Sequence, residues 1–432
     1  MATLFFFFFF FFFFLLSFPL YSLQTAFVAP IYRDHISLLY AIFVHLKTPL
    51  RPASLHLDLG GAFSWIDCYN HYNSSSYQFV LCNSPLSISF HQNICGSCVQ
   101  APSPICANDT IFSFAYPEKP SLRDQFVDYS HPKLTDSENL ITDVLALSTT
   151  DGSNSGPVRR IPEIPFSCVK TDFLRGLARD VIVLAALGRP NESIPSQISA
   201  KFNSPKFFAI CLSGTRLRPG VAFFGSKGPY SASIYTFWLP SYEYYIGLSA
   251  IRINSKAVAF NTSLLSFEPN HGGGGTKIST STSYALLQSS IYRAFATASM
   301  KESALLNFTL TNAVKPFGVC YAAESVGVTA EGQARAPVVD LVMEEGKVVW
   351  KLGGGRNTMV RIKKNGADAW CLGFINGGEF PRTPIVIGGL QMEDHLLQFD
   401  LENYRFGFSS SALMEGTSCS KFNFTSIQHH LE

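Results

Sequence analysis

The apolar residues of this chain come in short runs, and run length is what most limits the folds open to it. Val181–Leu187, Phe207–Leu212, Val221–Gly225, Val348–Leu352 and Ile385–Gly388 are compact apolar segments closed off by Gly, Pro or Ser. Runs this short suit strands buried on both faces better than amphipathic helices, and their spacing predicts an all-β architecture. Thr276–Ser279, after four consecutive glycines, reads as a further strand. Two stretches depart from this pattern. Apolar positions at helical spacing predict a helix over Ser281–Leu306, and a turn followed by a helix is expected at Ile194–Phe202. A chain of 432 residues, 47% hydrophobic, is long for one domain and comfortable for two. The Ser-, Pro- and Tyr-rich stretch Pro229–Tyr242 marks a boundary, so the expected division is 27–235 and 236–432 after a leader of residues 1–26.

The leader rests on Leu4–Leu20, almost wholly apolar with an unbroken Phe run from Phe5 to Phe14, followed by small and polar residues to Thr25–Ala26. An apolar core with a small-residue exit reads as a cleaved secretory signal, although no Lys or Arg precedes it. The stretch is marginal for spanning a bilayer and holds Pro19, so no retained membrane anchor is expected. The cysteines agree with export: Cys68, Cys82, Cys95, Cys98, Cys106, Cys168, Cys211, Cys320, Cys371 and Cys419 are even in number. In an oxidising compartment they predict disulfides. His91, Cys95, Cys98 and Cys106 have spacing that suits zinc, but oxidation argues against free thiolates there, and no metal or other cofactor is expected. Sequons at Asn73, Asn108, Asn191, Asn261, Asn307 and Asn423 offer glycan acceptors on surface loops. A net charge of +2 gives no general attraction to nucleic acid or anionic membrane. The short basic stretch Arg361–Lys364 reads as a solvated strand end.

The sharpest local pattern is Leu55-His56-Leu57-Asp58-Leu59-Gly60-Gly61, followed by Phe63–Cys68. It is an apolar strand ending in an aspartate on a glycine turn, then a return to an apolar strand. Two facing loops of this kind can hold two carboxylates close enough to share one proton and activate water. A single aspartate at such a junction can instead simply accept bonds from local amides. No Asp-Thr-Gly or Asp-Ser-Gly occurs in the chain, and neither does a Gly-x-Ser-x-Gly elbow or a His-Glu-x-x-His helix. Gly272–Lys277 lacks the Gly-Lys-Ser/Thr order of a phosphate loop and reads as a flexible loop. His56 reads as a packing residue.

Further segments fall in order along the chain: Cys95-Gly96-Ser97-Cys98, Ser148–Gly152, Phe166-Ser167-Cys168, Leu187-Gly188-Arg189 with Pro195-Ser196-Gln197, Tyr245–Leu248, Asn254–Lys256, Asn261–Ser263, Gly274–Thr280, Pro316–Gly318, Ile385–Gly389, Gln391–Asp394 and Gln398–Leu401. With the Asp58 segment, this set resembles the pepsin-like aspartic peptidases. More closely it resembles their plant branch of xylanase inhibitors, extracellular dermal glycoproteins and basic 7S globulins. The resemblance implies a bilobal pepsin-like β-barrel fold with a few short helices. It places Ser279 where active relatives carry the second aspartate, and it implies that Leu59 and Gly61 replace hydroxyl residues that brace the first loop. It also implies a pairing of Cys320 with Cys371, and further cysteines near Leu86 and Ile111 that this chain lacks. Val181–Gly188 and Asp124–Asp136 stray from the branch's pattern.

The resemblance implies a secreted, catalytically degenerate protein of the extracellular space or cell wall that inhibits microbial xylanases or xyloglucan endoglucanases. Such inhibitors insert a His or Arg from the loop before the last cysteine into the hydrolase's acidic cleft. Here that loop, Ser409–Ser418, holds Leu413, Met414 and Glu415 and no basic residue, which leaves Arg335 or Arg382 as substitutes. The alternatives are an aspartic endopeptidase and a basic 7S globulin-like storage or peptide-binding protein.

Overall fold

A computed structural model describes residues 25–68, 72–80, 84, 86, 111–113, 137–169, 177–215, 217–226, 228, 233–236, 243–268, 273–343, 346–364, 366–409 and 418–424. Residues 1–24 of the leader, His91, Cys82, Cys95, Cys98, Cys106, Asn108, the segment Asp124–Asp136 and residues 410–417 lie outside them, while Ala26, read as the leader's last residue, opens the strand Ala26–Arg33. Strands dominate. The buried runs form them as expected: Val183–Ala186, Phe207–Cys211, Gly220–Phe224, Val348–Leu352 and Ile385–Ile387 are all strands with mostly buried residues. Among the described residues the largest sheet has 14 strands, and the second half of the chain adds sheets of five, four, four and two strands. The fold is bilobal, of the pepsin-like type, with few and short helices.

The two halves repeat one strand pattern. In the first, Arg51–Asp58 runs parallel to Val183–Ala186, while Trp65–Asp67 is antiparallel to Val183–Ala186 and parallel to Ser155–Val169. In the second, Thr276–Ile278 runs parallel to Ile385–Ile387, while Ala285–Leu287 is antiparallel to Ile385–Ile387 and parallel to Phe374–Asn376. The halves are stitched together as well. Leu396–Asp400 pairs with Phe207–Cys211, and Ser233–Thr236, inside the stretch read as a boundary, pairs with Arg405–Phe408. The last strands of the chain therefore complete the sheet of the first half.

Three disulfides fall among the described residues: Cys68–Cys168, Cys211–Cys419 and Cys320–Cys371. The last joins directly opposed residues of two antiparallel strands. Cys211–Cys419 anchors the C-terminal turn to the sheet of the first half.

The helix Ile194–Phe202 forms as expected, with Pro195 in its first turn and Asn203 in the left-handed conformation at its end. The expectation over Ser281–Leu306 is corrected at its start, because the helix spans Ser289–Ala304. Ala285–Leu287 is instead a strand held between two distant strands. The Gln288 side chain then accepts the N–H groups of Ser290 and Ile291 at 2.7 and 3.3 Å, which starts the helix. The reading of Gly272–Lys277 as a flexible loop is also corrected. Gly273–Gly274 pairs with Phe267–Glu268, and Thr276–Ile278 is a buried strand. Among the described residues no helix is long and apolar enough to cross a membrane.

Candidate functional site: the cleft around Asp58

Asp58 ends the strand Arg51–Asp58, and its carboxylate is buried. The loop after it closes with the Gly188 N–H donating to the Gly61 carbonyl at 2.9 Å. In the second half the Gly389 N–H donates to the Thr282 carbonyl at 2.8 Å. Gly61 lies three positions beyond Asp58 and Thr282 three beyond Ser279, so the repeated register makes Ser279 the counterpart of Asp58 and Thr280 the counterpart of Leu59.

Thr280 grips the first loop. Its Oγ1 accepts the Leu59 N–H at 3.1 Å and its hydroxyl donates to the Leu57 carbonyl at 2.6 Å, bracketing Asp58. The reciprocal grip would need a hydroxyl at position 59. Leu59 is fully buried and has none, so the loops are braced from one side only. At Gly61 an added Cβ would lie 3.0 Å from the Ala186 Cβ and 3.1 Å from Asp58 Oδ2, so a side chain there requires its neighbours to shift.

Asp58 Oδ1 accepts the Gly60 N–H at 2.9 Å and the Ser281 hydroxyl at 3.2 Å. Burial pushes its pKa up from 3.8 to about 6, against the Gly60 bond, with the negative charge of Glu243 adding to the rise. Ser279 is half-buried; its N–H donates to the Ile387 carbonyl at 3.0 Å, and its Oγ accepts the Ser281 N–H at 3.2 Å. Of the counterpart positions Asp58 and Ser279, one carries a carboxylate, and the hydroxyl that bonds it comes from Ser281.

A charged cluster not anticipated from sequence borders this pair. Lys277 Nζ, nearly fully buried, lies 2.8 Å from Glu243 Oε1, while Arg382 Nη2 lies 3.7 Å and the Tyr245 hydroxyl 3.0 Å from Glu243 Oε2. Glu243 and Asp58 both come within 4 Å of the point a Gly60 Cβ would occupy. Despite its burial, Glu243 is held below the usual carboxylate range by Lys277 and Arg382. Its ion pairs are with Lys277 and Arg382. One signal was present in the sequence: a lysine in a buried strand needs a counter-charge. Its partner, 34 residues away, could not be read from spacing.

Of the other residues singled out from sequence, Asn73, Asn191, Asn261, Asn307 and Asn423 are all exposed. His56 is fully buried, and among the described residues its ring nitrogens have no hydrogen-bond partner. Arg382 is drawn toward Glu243, and Arg335 stands at the base of a hairpin, its N–H donating to the Gly327 carbonyl at 2.7 Å. No cluster able to hold a metal ion occurs among the described residues.

A strand-rich, two-lobed chain with symmetry-related loops meeting at a buried aspartate has the architecture of the pepsin-like aspartic peptidases. Within that class the chain belongs to the xylanase inhibitor family: the N-terminal xylanase inhibitor model matches residues 40–226 and the C-terminal model residues 243–410. It is 40% identical over 429 residues to "Probable aspartic proteinase GIP1" of Glycine max, covering 95% of this chain and 94% of that one. It is 32% identical to "Gamma conglutin 1" of Prunus dulcis, covering 92% and 89%. Among solved structures it superposes on EDGP with a TM-score of 0.83 at 38% identity, covering 94% of this chain and 100% of that one. On the basic 7S globulin of soybean the TM-score is 0.73 at 29% identity, covering 92% and 99%.

Proposed function

We propose that this chain is a secreted, catalytically inactive relative of the aspartic peptidases that binds and inhibits microbial cell-wall glycoside hydrolases, either xylanases or xyloglucan endoglucanases. The observation that carries the reading is the single carboxylate at the paired loops. Water activation in this fold needs two acid–base groups sharing a proton, and a serine hydroxyl at Ser279 cannot titrate in the working range. Glu243 is no replacement, because Lys277 neutralises it. A fold that has lost its chemistry keeps its cleft and loops as binding surface. The match of both halves to xylanase inhibitor models supports hydrolases as the partners. The exposed sequon asparagines fit an exported glycoprotein.

The test is titration of the purified glycosylated protein against a panel of microbial xylanases and xyloglucan endoglucanases. The expected outcome is saturable loss of polysaccharide hydrolysis at near-equimolar inhibitor for at least one enzyme. Absence of binding to every member would sink the reading. A second reading, aspartic endopeptidase, takes support from relatives whose names call them probable aspartic proteinases. Similarity to gamma conglutins and basic 7S globulins supports a third, a storage or peptide-binding role.

A further inference from the structure

The loop 377–383 joins the strands Phe374–Asn376 and Ile385–Ile387 and reaches the cleft, where Arg382 approaches Glu243. Its backbone is fastened along its length. The Gly377 N–H donates to the Leu287 carbonyl at 2.7 Å and the Gly378 N–H to Asn376 Oδ1 at 3.0 Å. The carbonyl of Gly378 accepts the Ser289 N–H at 2.8 Å, that of Glu379 accepts Gln288 Nε2 at 3.0 Å, and that of Arg382 accepts the Gly274 N–H at 2.8 Å. Pro381 stiffens it further.

This fixed loop holds Phe380 at 98% exposure, the highest of the large apolar side chains among the described residues. The ring contributes nothing to the core, and its apolar surface is recovered from water only by a partner. Because the loop is already ordered, docking the ring loses little backbone freedom. Its surroundings select the partner. Arg382 lies two positions beyond the ring on the same loop, with its Nη2 3.7 Å from Glu243 Oε2, and Arg293 Nη1 lies 3.4 Å from Oε1 of Glu379, the residue before the ring; with Lys277 these are three cations against the carboxylates Glu243 and Glu379. An aromatic ring in a net-positive setting complements a sugar-binding cleft, where pyranose rings present apolar faces to aromatic walls and two carboxylates do the hydrolysis.

We infer that Phe380, flanked by Arg382 and Arg293, is the apolar anchor of the hydrolase-binding surface and occupies a sugar subsite of the partner's cleft. This rests on the inhibitory function proposed above. It assigns the contact to a loop other than the one before the last cysteine, which carries no basic residue here.

The experiment compares wild type, Phe380→Ser, Phe380→Tyr and Leu217→Ser by calorimetric titration against the xylanases and xyloglucan endoglucanases of the same panel. Leu217, 92% exposed on another loop, is the control for a general loss of exposed apolar surface. Phe380→Ser is expected to raise Kd by about tenfold or more, as truncation of an aromatic hot spot does. Phe380→Tyr and Leu217→Ser are expected to bind as wild type, with melting temperatures unchanged throughout. Wild-type affinity in Phe380→Ser overturns this inference and leaves the inhibitory function standing. A wild type that binds no hydrolase overturns both.

Discussion

Replacing Glu393 with alanine is expected to destabilise the folded chain by about 3–5 kcal/mol, the usual cost of orphaning one partner of a buried ion pair. Glu393 Oε1 lies 2.9 Å from Arg33 Nη1 and accepts the Tyr40 hydroxyl at 2.6 Å. Arg33 and Tyr40 belong to the first two strands of the chain, and Glu393 follows a short helix near its end, so the cluster ties the halves together. Beside it, Arg356 Nη1 pairs with Asp394 Oδ2 at 2.9 Å. A Cβ added at Gly214 would lie 2.5 Å from Arg356 Nη1 and 2.8 Å from Asp394 Oδ2, so glycine is what lets the charges close up there. Burial pushes the Glu393 pKa up, against the pull of Arg33 and the Tyr40 bond. Hence Arg33→Met combined with Glu393→Met should recover much of the loss, since a well-packed apolar pair removes both desolvation costs. Urea unfolding of the single and double variants checks this; a Glu393→Ala loss below about 1 kcal/mol contradicts it.

The second large effect is a pair of opposed pH dependences on one strand. His56 is fully buried, and across the sheet it lies between Ala41 and Leu184, which belong to an apolar cluster with Leu39, Trp65 and Val181. Burial lowers its pKa from 6.5 to about 4. Its stabilising contribution is therefore complete above pH 6.5 and is lost as pH falls toward 4, by roughly 3 kcal/mol. Asp58 has the opposite sign. Its folded pKa is raised from 3.8 to about 6, so its contribution is complete below 3.8 and is lost as pH rises through about 6, again by roughly 3 kcal/mol. Between pH 6 and 4 the two effects oppose each other. Relative to wild type, His56→Leu should gain stability as pH falls through this window, and Asp58→Asn should lose it. Chemical unfolding at intervals from pH 7.5 to 4 reads both differences. Parallel profiles for wild type and both variants would falsify the assignment.

Much of this fold was legible because many of its strands are short, buried on both faces and bounded by turn residues, as at Phe207–Cys211 and Gly220–Phe224. What failed was non-local. Ala285–Leu287 has apolar positions that continue a helical period, and only its pairing with residues about ninety to a hundred positions later makes it a strand. Ser233–Thr236 lies in the boundary stretch between the two family matches, and the strand it forms there depends on pairing with the end of the chain. In the cleft, Asp58 and the Thr276–Thr282 segment stood out by motif. The one-sided Thr280 grip and the Ser281 bond depend on contacts between halves, and the Glu243–Lys277 pair on a contact 34 residues apart, none of which spacing encodes.

In the function proposed above, one carboxylate at the paired loops leaves a cleft that binds but does not cut. The most direct test is incubation of the purified protein with an unfolded protein substrate from pH 3 to 6, with fragments followed by mass spectrometry. The account predicts no cleavage above a buffer control at any pH. Cleavage that a transition-state mimic of the aspartic dyad blocks, and that Asp58→Asn abolishes, would contradict it.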